Sequence, residues 1–323
     1  MVKSVLALFY DSAGGINRMN DLIYLALKRF AEQHEIELSW FCSSDGNPDL
    51  VTQAIARVNP DLLITQDIFP NILAAMQGSG IDSFCFSPSL LLQEHYDELV
   101  STFPNIIFFS VDRPGSKTPT VKGIRNYVIP FDAREFEHSA RWGSRLGNFC
   151  SIGRYHPCKI SHELIATRQV HVYADEPSFP KYGDPESPQY MYSKAKALYG
   201  FAKSLHRHEG ALKSYVDVNL TLASYKYHVL HTKTDCFSLS SAEALLSGAI
   251  PIIIANEYPL DPWINWIPAE YRITYSSFDD FEQDIDKLKS QDFNKLSVES
   301  RNWIRATHNI PNFCFLLESM LTP

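Results

Sequence analysis

The sequence has no Cys-x-x-Cys pair, no Gly-x-Gly-x-x-Gly run, no excess of basic residues and no apolar stretch near the roughly 20 residues that span a bilayer. Each absence removes a class of protein. The six cysteines, Cys42, Cys85, Cys150, Cys158, Cys236 and Cys314, are scattered and several sit in apolar company, which suits buried thiols in a reducing compartment better than a disulfide framework. A cytoplasmic protein without a transmembrane segment is therefore expected, and the sequon Asn219-Leu220-Thr221 carries no meaning there. The N-terminal MVKSVLALFYDSAGG has a short apolar run, but the run ends in Asp11 rather than in a cleavage site and reads as a first strand. A net charge of −8 argues against a broad phosphate-neutralising surface for nucleic acid, leaving room only for a local basic groove.

What the chain does have is alternation. With 323 residues it suits two domains of about 150 residues each. In the first half, the apolar runs SVLALFY, IELSWFC, DLLIT, IDSFCFS and NIIFFSV are separated by amphipathic segments. In the first of these, Met19, Leu22, Ile23, Ala26, Leu27 and Phe30 recur at helical spacing on one face. Strands alternating with helices predict a parallel sheet covered on both faces. A second series begins near Gly147, with GNFCSIG, QVHVYA, KYHVLH, GAIPIIIA and RITYS as strands and YMYSKAKALYGFAKSL and SSAEALLSG as helices. The fold class is thus α/β, two Rossmann-like domains at 1–133 and 134–300, joined through Tyr127–Trp142, where Pro130 closes a strand and the pattern breaks. Ligands of such sheets bind beyond the strand carboxyl ends, so two facing domains would line a cleft with strand-end loops.

Three segments sit at such ends. Gly14 and Gly15 follow the first strand, where glycine allows a tight turn and the next helix offers N–H groups to an anion; a strand-to-helix turn also uses glycine for geometry alone. In SIGRYHPCK, Arg154 and Lys159 lie five apart, able to meet one diphosphate, although lone surface cations are usually just solvated. In DCFSLSSAEALLSGAIPIII, the serines Ser238, Ser240 and Ser241 can cap a helix whose amides attract phosphate. Glu243, placed in the first turn, would gain from the same dipole and could accept two hydrogen bonds from a ribose diol, with Asp235 closing the loop on the cleft side. The plain alternative is a helix-stabilising Glu243 and a solvated Asp235.

The acid-x7-acid segment from Asp235 to Glu243, with its downstream Gly-x-Pro, resembles the E-G-F-G-L-x-x-x-E-A motif of retaining glycosyltransferases with the GT-B fold, of the family-4 type. Upstream, Gly153, Arg154 and Lys159 form the G-R-x4-K that this family places at its diphosphate. The resemblance covers most of the chain, with its specific motifs in the second half. It implies that Arg154 and Lys159 hold the donor diphosphate, that Glu243 holds the ribose, and that Asp235 faces the donor sugar, so that Asp235, Arg154 and Lys159 carry the reaction. Gly14, Gly15, Gly153, Cys236, Phe237, Leu239 and the amides from Ser238 to Ser241 would complete the donor site. It further implies an acceptor domain first and a donor domain second, a helix at 301–323 packing back toward the first domain, and a UDP-sugar as co-substrate with neither cofactor nor metal. The sequence departs from the motif in carrying Asp235 for Glu, and Cys236 and Ser238 for glycines. The family's first-domain histidine has only His95 as its nearest counterpart.

Other readings compete. His206, His208 and Glu209 could gather a metal but look like an exposed helix end, and Asp284-Ile285-Asp286 lies on an amphipathic helix as a solvated face. Trp263 and Trp266 suit stacking or core equally. A nicotinamide enzyme lacks its glycine fingerprint; a catalytically silent nucleotide-binding module stays open. The acceptor is undetermined: a small molecule, lipid or glycan, or, on a short likeness of THNIPNFCFLLESML and G-R-x4-K to phage enzymes that glucosylate modified DNA bases, a hydroxymethylated base.

Overall fold

A computed structural model describes residues 2–11, 15–43, 47–87, 93–112, 121–140, 147–153, 163–164, 167, 169–174, 212, 214–231, 238–254 and 266–321. The chain divides into two compact units: Met1–Asp112, Thr118–Asp132 and Ala306–Pro323 belong to one, and Ala133–Arg305 to the other.

The first unit is built on β1 (Ser4–Tyr10), β2 (Glu37–Ser43), β3 (Leu62–Gln66), β4 (Ser83–Ser87), β5 (Ile106–Val111) and β6 (Arg125–Tyr127), all parallel in the order β2-β1-β3-β4-β5-β6. Its helices are α1 (Gly15–His34), α2 (Pro48–Val58), α3 (Pro70–Ser79), α4 (Gln93–Thr102) and, from the far end of the chain, α9 (Ile310–Leu321). The central strands are buried along their length because helices cover both faces, which is why they read as unbroken apolar runs. On one face Leu6, Leu8, Leu63 and Phe108 pack with Val51, Ile55, Ile72, Leu73 and Met76 of α2 and α3. The other face is aromatic: Phe86 stacks on Phe109 at 4.6 Å and meets Phe313 of α9 at 5.1 Å. The apolar stripe of α1 is buried throughout, from Met19 to Phe30. His308, before α9, accepts the Ile129 N–H at Nδ1 (3.0 Å).

The second unit repeats the plan with β7 (Gly147–Gly153), β8 (His171–Ala174), β9 (Tyr225–Leu230), β10 (Ile250–Ile254) and β11 (Ile273–Tyr275), in the order β11-β10-β9-β7-β8. Counted from its own first strand this is 2-1-3-4-5, the order of the first five strands of the first unit. Around it lie α5 (Tyr215–Ala223), α6 (Leu239–Ser247), α7 (Phe278–Ser290) and α8 (Asn294–Thr307). Its core joins Phe149, Val172, Tyr227, Val229, Ile250 and Ile252 to Phe281, Ile285 and Leu288 of α7. Gly147 opens β7 because a Cβ there would lie 2.5 Å from the Tyr225 ring.

The stretch read as a linker is partly core. β6 ends at Tyr127, three residues before Pro130, and Phe131 and Phe136 are fully buried, the latter in a 3-10 helix over Ala133–Ala140. Arg301 Nη2 donates to the Phe136 carbonyl at 2.9 Å, fixing that helix within the second unit.

Candidate active site

In a doubly wound sheet the crevice for a ligand opens beyond the carboxyl ends of the two strands where the order reverses, β7 and β9 in the second unit. Gly153 is the last residue of β7, and Ser238, the cap of α6, comes eight residues after Leu230, the last residue of the neighbouring β9. Gly153 and the start of α6 thus belong to one edge of one sheet.

Ser238 is the N-cap of α6. Its Oγ accepts from the Ser241 N–H at 3.3 Å and from the Ser241 hydroxyl at 2.9 Å, while the Ser240 hydroxyl lies 3.3 Å away. Capping satisfies amides that the helix leaves over. The Ser241 and Ala242 amides also reach the Ser238 carbonyl, at 3.0 and 3.1 Å, so the amides this helix end offers an anion are those of Leu239 and Ser240 rather than the whole run to Ser241.

Glu243 needs a larger correction. Since the helix begins at Leu239, Glu243 is its fifth residue and lies in the second turn, where the dipole has largely decayed. The three serines made the cap ambiguous in sequence, and the earliest of them takes it. Glu243 is nevertheless 4% exposed, on a helix in which every residue from Ser241 to Ser247 is buried. A carboxylate is taken out of water only where hydrogen bonds or charge repay its desolvation, so the position is chemically marked.

Gly15 is the first residue of α1, beyond the carboxyl end of β1 in the first unit. Gly14, Arg154, Lys159, Asp235, Cys236 and Phe237 lie outside the described residues, as do His206, His208, Glu209 and Trp263. His95 is exposed on α4, Trp266 is core and stacks on Trp303 at 6.0 Å, and Asp284 and Asp286 pair at the surface with Lys287 and Lys289. Among the described residues no group of three or more His, Cys, Asp or Glu side chains is placed to hold a metal, and no helix is long and apolar enough to cross a membrane.

His231, which follows β9 directly, was not among the expected site residues. It is 6% exposed, its ring stacks on Phe278 at 5.5 Å, and its Nδ1 lies 3.9 Å from the Glu163 carboxylate. A histidine closing a strand four residues before Asp235 in sequence was the available signal. His228, three residues earlier on the other side of the pleat, is structural. Its Nε2 accepts the Ile152 N–H at 3.4 Å, and burial pushes its pKa down to about 4, so it is neutral at pH 7.

No protein-family model matches the chain, and no curated protein sequence does. Solved structures match over nearly its whole length. A sucrose-phosphate synthase from Thermosynechococcus elongatus aligns with a TM-score of 0.68 at 13% identity, over 98% of both chains. A trehalose-6-phosphate synthase structure concerned with glycosyltransfer with retention gives 0.66 at 9%, again over 98% of both. HepE of Anabaena in complex with UDP gives 0.63 at 13%, over 99% of both. At such identities the likeness is one of fold, and with two parallel Rossmann-like sheets it defines the GT-B fold for this chain.

Proposed function

We propose that the protein is a nucleotide-sugar-dependent glycosyltransferase that moves a hexosyl or pentosyl group to an acceptor hydroxyl with retention of configuration. The observation that carries this reading is the capped start of α6, with Glu243 withdrawn from solvent one turn beyond it, on the same sheet edge as Gly153. The family-4-like acid-x7-acid and G-R-x4-K motifs supply the roles, and the fold likeness to sugar-phosphate synthases and to a UDP-bound protein favours a UDP-sugar.

In this reading Arg154 and Lys159 bind the diphosphate together with the Leu239 and Ser240 amides, Glu243 accepts from the ribose hydroxyls, and Asp235 orients the donor sugar. Gly14, Gly15, Gly153, Cys236, Phe237 and Ser238 shape the pocket. As the bond between the anomeric carbon and the diphosphate breaks, negative charge grows on the leaving oxygen, and fixed cations and amides stabilise it more than they stabilise the ground state. The acceptor oxygen bonds to the anomeric carbon on the vacated face, and its proton passes to the departing diphosphate oxygen. This differs from glycosidases, whose two carboxylates flank the bond.

The test is incubation of the purified protein with UDP-, GDP- and ADP-sugars, following nucleotide release without acceptor. Slow hydrolysis of one donor is expected. Nucleotide binding without release defines a silent binding module, neither binding nor release overturns the reading, and a shift with duplex DNA at low salt would point to a DNA acceptor.

A further inference from the structure

Four strands form the edges of the two sheets, and three of them are blunted. β6 and β11 are three residues long and β8 is four, and β6 carries Arg125. Brevity and charge keep a row of unpaired backbone groups from finding another strand. β2 has neither protection. It runs for seven residues, all in register with β1 from Glu37 opposite Ser4 to Ser43 opposite Tyr10, and among the described residues no strand meets its outer edge. It contains no proline and no lysine, and its single charge, Glu37, stands at one end.

Successive side chains of β2 point to opposite faces of the sheet. Phe41 packs with the core beneath α2 and α3, whereas Leu38 joins Leu27, Phe30 and Ala31 of α1 on the other face. Trp40 shares the α1 face at the midpoint of the strand, 59% exposed, with its ring 6.0 Å from that of Tyr24. Cys42, next on that face, is exposed too. A lone exposed indole means little. At the centre of a long, nearly uncharged edge it adds apolar area to backbone groups already open to pairing.

The charges beside this edge fit one arrangement. α1 runs opposite in direction to β2, so Asp21, one turn before Tyr24, lies toward the carboxyl end of the strand. There burial, then the charges of Asp11 and Asp21, raise the Cys42 thiol pKa. Lys28, one turn after Tyr24, lies toward the amino end, next to the Leu27 that meets Leu38. Asp21 and Lys28 are both exposed. A two-fold axis at Trp40 carries Asp21 toward the partner's Lys28, and sets Glu37 opposite the partner's Ser43. A parallel copy would instead put each charge beside its own like, which is unfavourable. The remaining acids, Asp11 and Glu32, fall at the two ends of the strand, where water and salt screen them most.

We propose that two copies of this chain associate through β2, antiparallel about Trp40, joining their six-stranded sheets into one. The full overlap of seven residues is reached only when Trp40 faces the partner's Trp40, so strand length and charge select the same register. The contact is isologous and occupies the edge on both copies, so assembly stops at two. It does not depend on the transferase reading.

Sedimentation velocity on the full chain from about 1 to about 100 μM tests the proposal, with Trp40→Lys beside the wild type. The wild type passes from monomer to dimer across that range. Trp40→Lys, a change at an exposed site, raises the dissociation constant about thirtyfold or more. Trp40→Cys reads the register, because residues directly opposite in an antiparallel pair have Cα atoms about 4.5–5.5 Å apart, within reach of a disulfide. Mild oxidation therefore yields a covalent dimer. The wild type is the control: Cys42 faces the partner's Leu38 and lies four residues, about 13 Å, from the partner's Cys42, too far to bond. A chain monomeric at every concentration overturns the proposal and leaves the edge to a strand of another protein. So does a dimer that survives Trp40→Lys, growth beyond two copies, or a Trp40→Cys variant that dimerises without cross-linking. Should Trp40→Lys fail to fold, the cross-link decides alone, its formation supporting the proposal and its absence overturning it.

Discussion

α3 and α6 hold the same place in two sheets of the same strand order, each leaving the third strand and leading to the fourth. They end alike, on the left-handed glycines Gly80 and Gly248. They begin differently. α3 starts on Phe69 and Pro70 with no side-chain cap and buries Ile72, Leu73 and Met76, one apolar face. α6 starts on a serine cap and is buried all round. Five residues past the cap α3 has Ala74, exposed, where α6 has Glu243, buried. One architectural position thus carries an uncapped helix with one apolar face in the first unit and a capped helix with a buried acid in the second, and the fold alone does not decide which.

The widest separation comes from paired truncations. Leu73→Ala opens a cavity at a fully buried site and should cost about 2–5 kcal/mol of stability, read by denaturant unfolding, with nucleotide-sugar affinity unchanged in the folded fraction. Glu243→Ala should weaken nucleotide-sugar binding by roughly tenfold to a hundredfold, the loss of hydrogen bonds to a charged group, measured by calorimetry. Wild-type affinity in the Glu243 variant would sink the idea that α6 serves the donor.

Beneath this difference the units share a feature that acid should expose equally in both. Among the described residues each buries a histidine that accepts a backbone N–H, His228 from Ile152 and His308 from Ile129, and burial lowers their pKa values from 6.5 to about 4 and about 3. Between those values and 6.5 the unfolded chain holds the extra proton, so their contribution is complete above pH 6.5 and drains away as pH falls toward 4. At pH 5 the loss is about 2 kcal/mol for each histidine, at about 1.4 kcal/mol per pH unit. Melting temperatures recorded from pH 7 to pH 5 should fall, with both units melting earlier. A flat profile would show that the rings are not neutral partners of those amides.

The cap itself is worth less. Ser238→Ala removes the acceptor for the Ser241 N–H and should lower stability by about 1 kcal/mol, with donor affinity declining through the loosened first turn. Phe69→Ser, which supplies α3 with the hydroxyl it lacks, tests whether α3 gains nothing in nucleotide binding from a cap of its own.

Much of this contrast was legible beforehand. Strand β3 and helix α3 are visible in DLLIT and FPNILAAMQ because burial on both sheet faces writes continuous apolar runs, and α6 is visible in SSAEALLSG. β6 is not, because Arg125-Asn126-Tyr127 is three residues long with one buried side chain. α5 is hidden by Val216, Val218 and Thr221, β-branched residues that suit a strand as well as a helix. The cap of α6 was undecidable among three serines, and the error moved Glu243 by one turn.

The smallest effect is also the sharpest comparison. Ala74→Glu places an acid in α3 at the offset Glu243 occupies in α6. Since Ala74 is exposed, the new carboxylate keeps its water, gains nothing from a dipole that has faded by the second turn, and should change stability by no more than about 0.5 kcal/mol. Nucleotide-sugar affinity should not move. If the substitution proves as costly as a buried charge, then α3 is more enclosed than its one apolar face implies. If it is silent, the residue type is ruled out as the source of the contrast, and what sets Glu243 apart is its withdrawal from solvent on a helix buried all round.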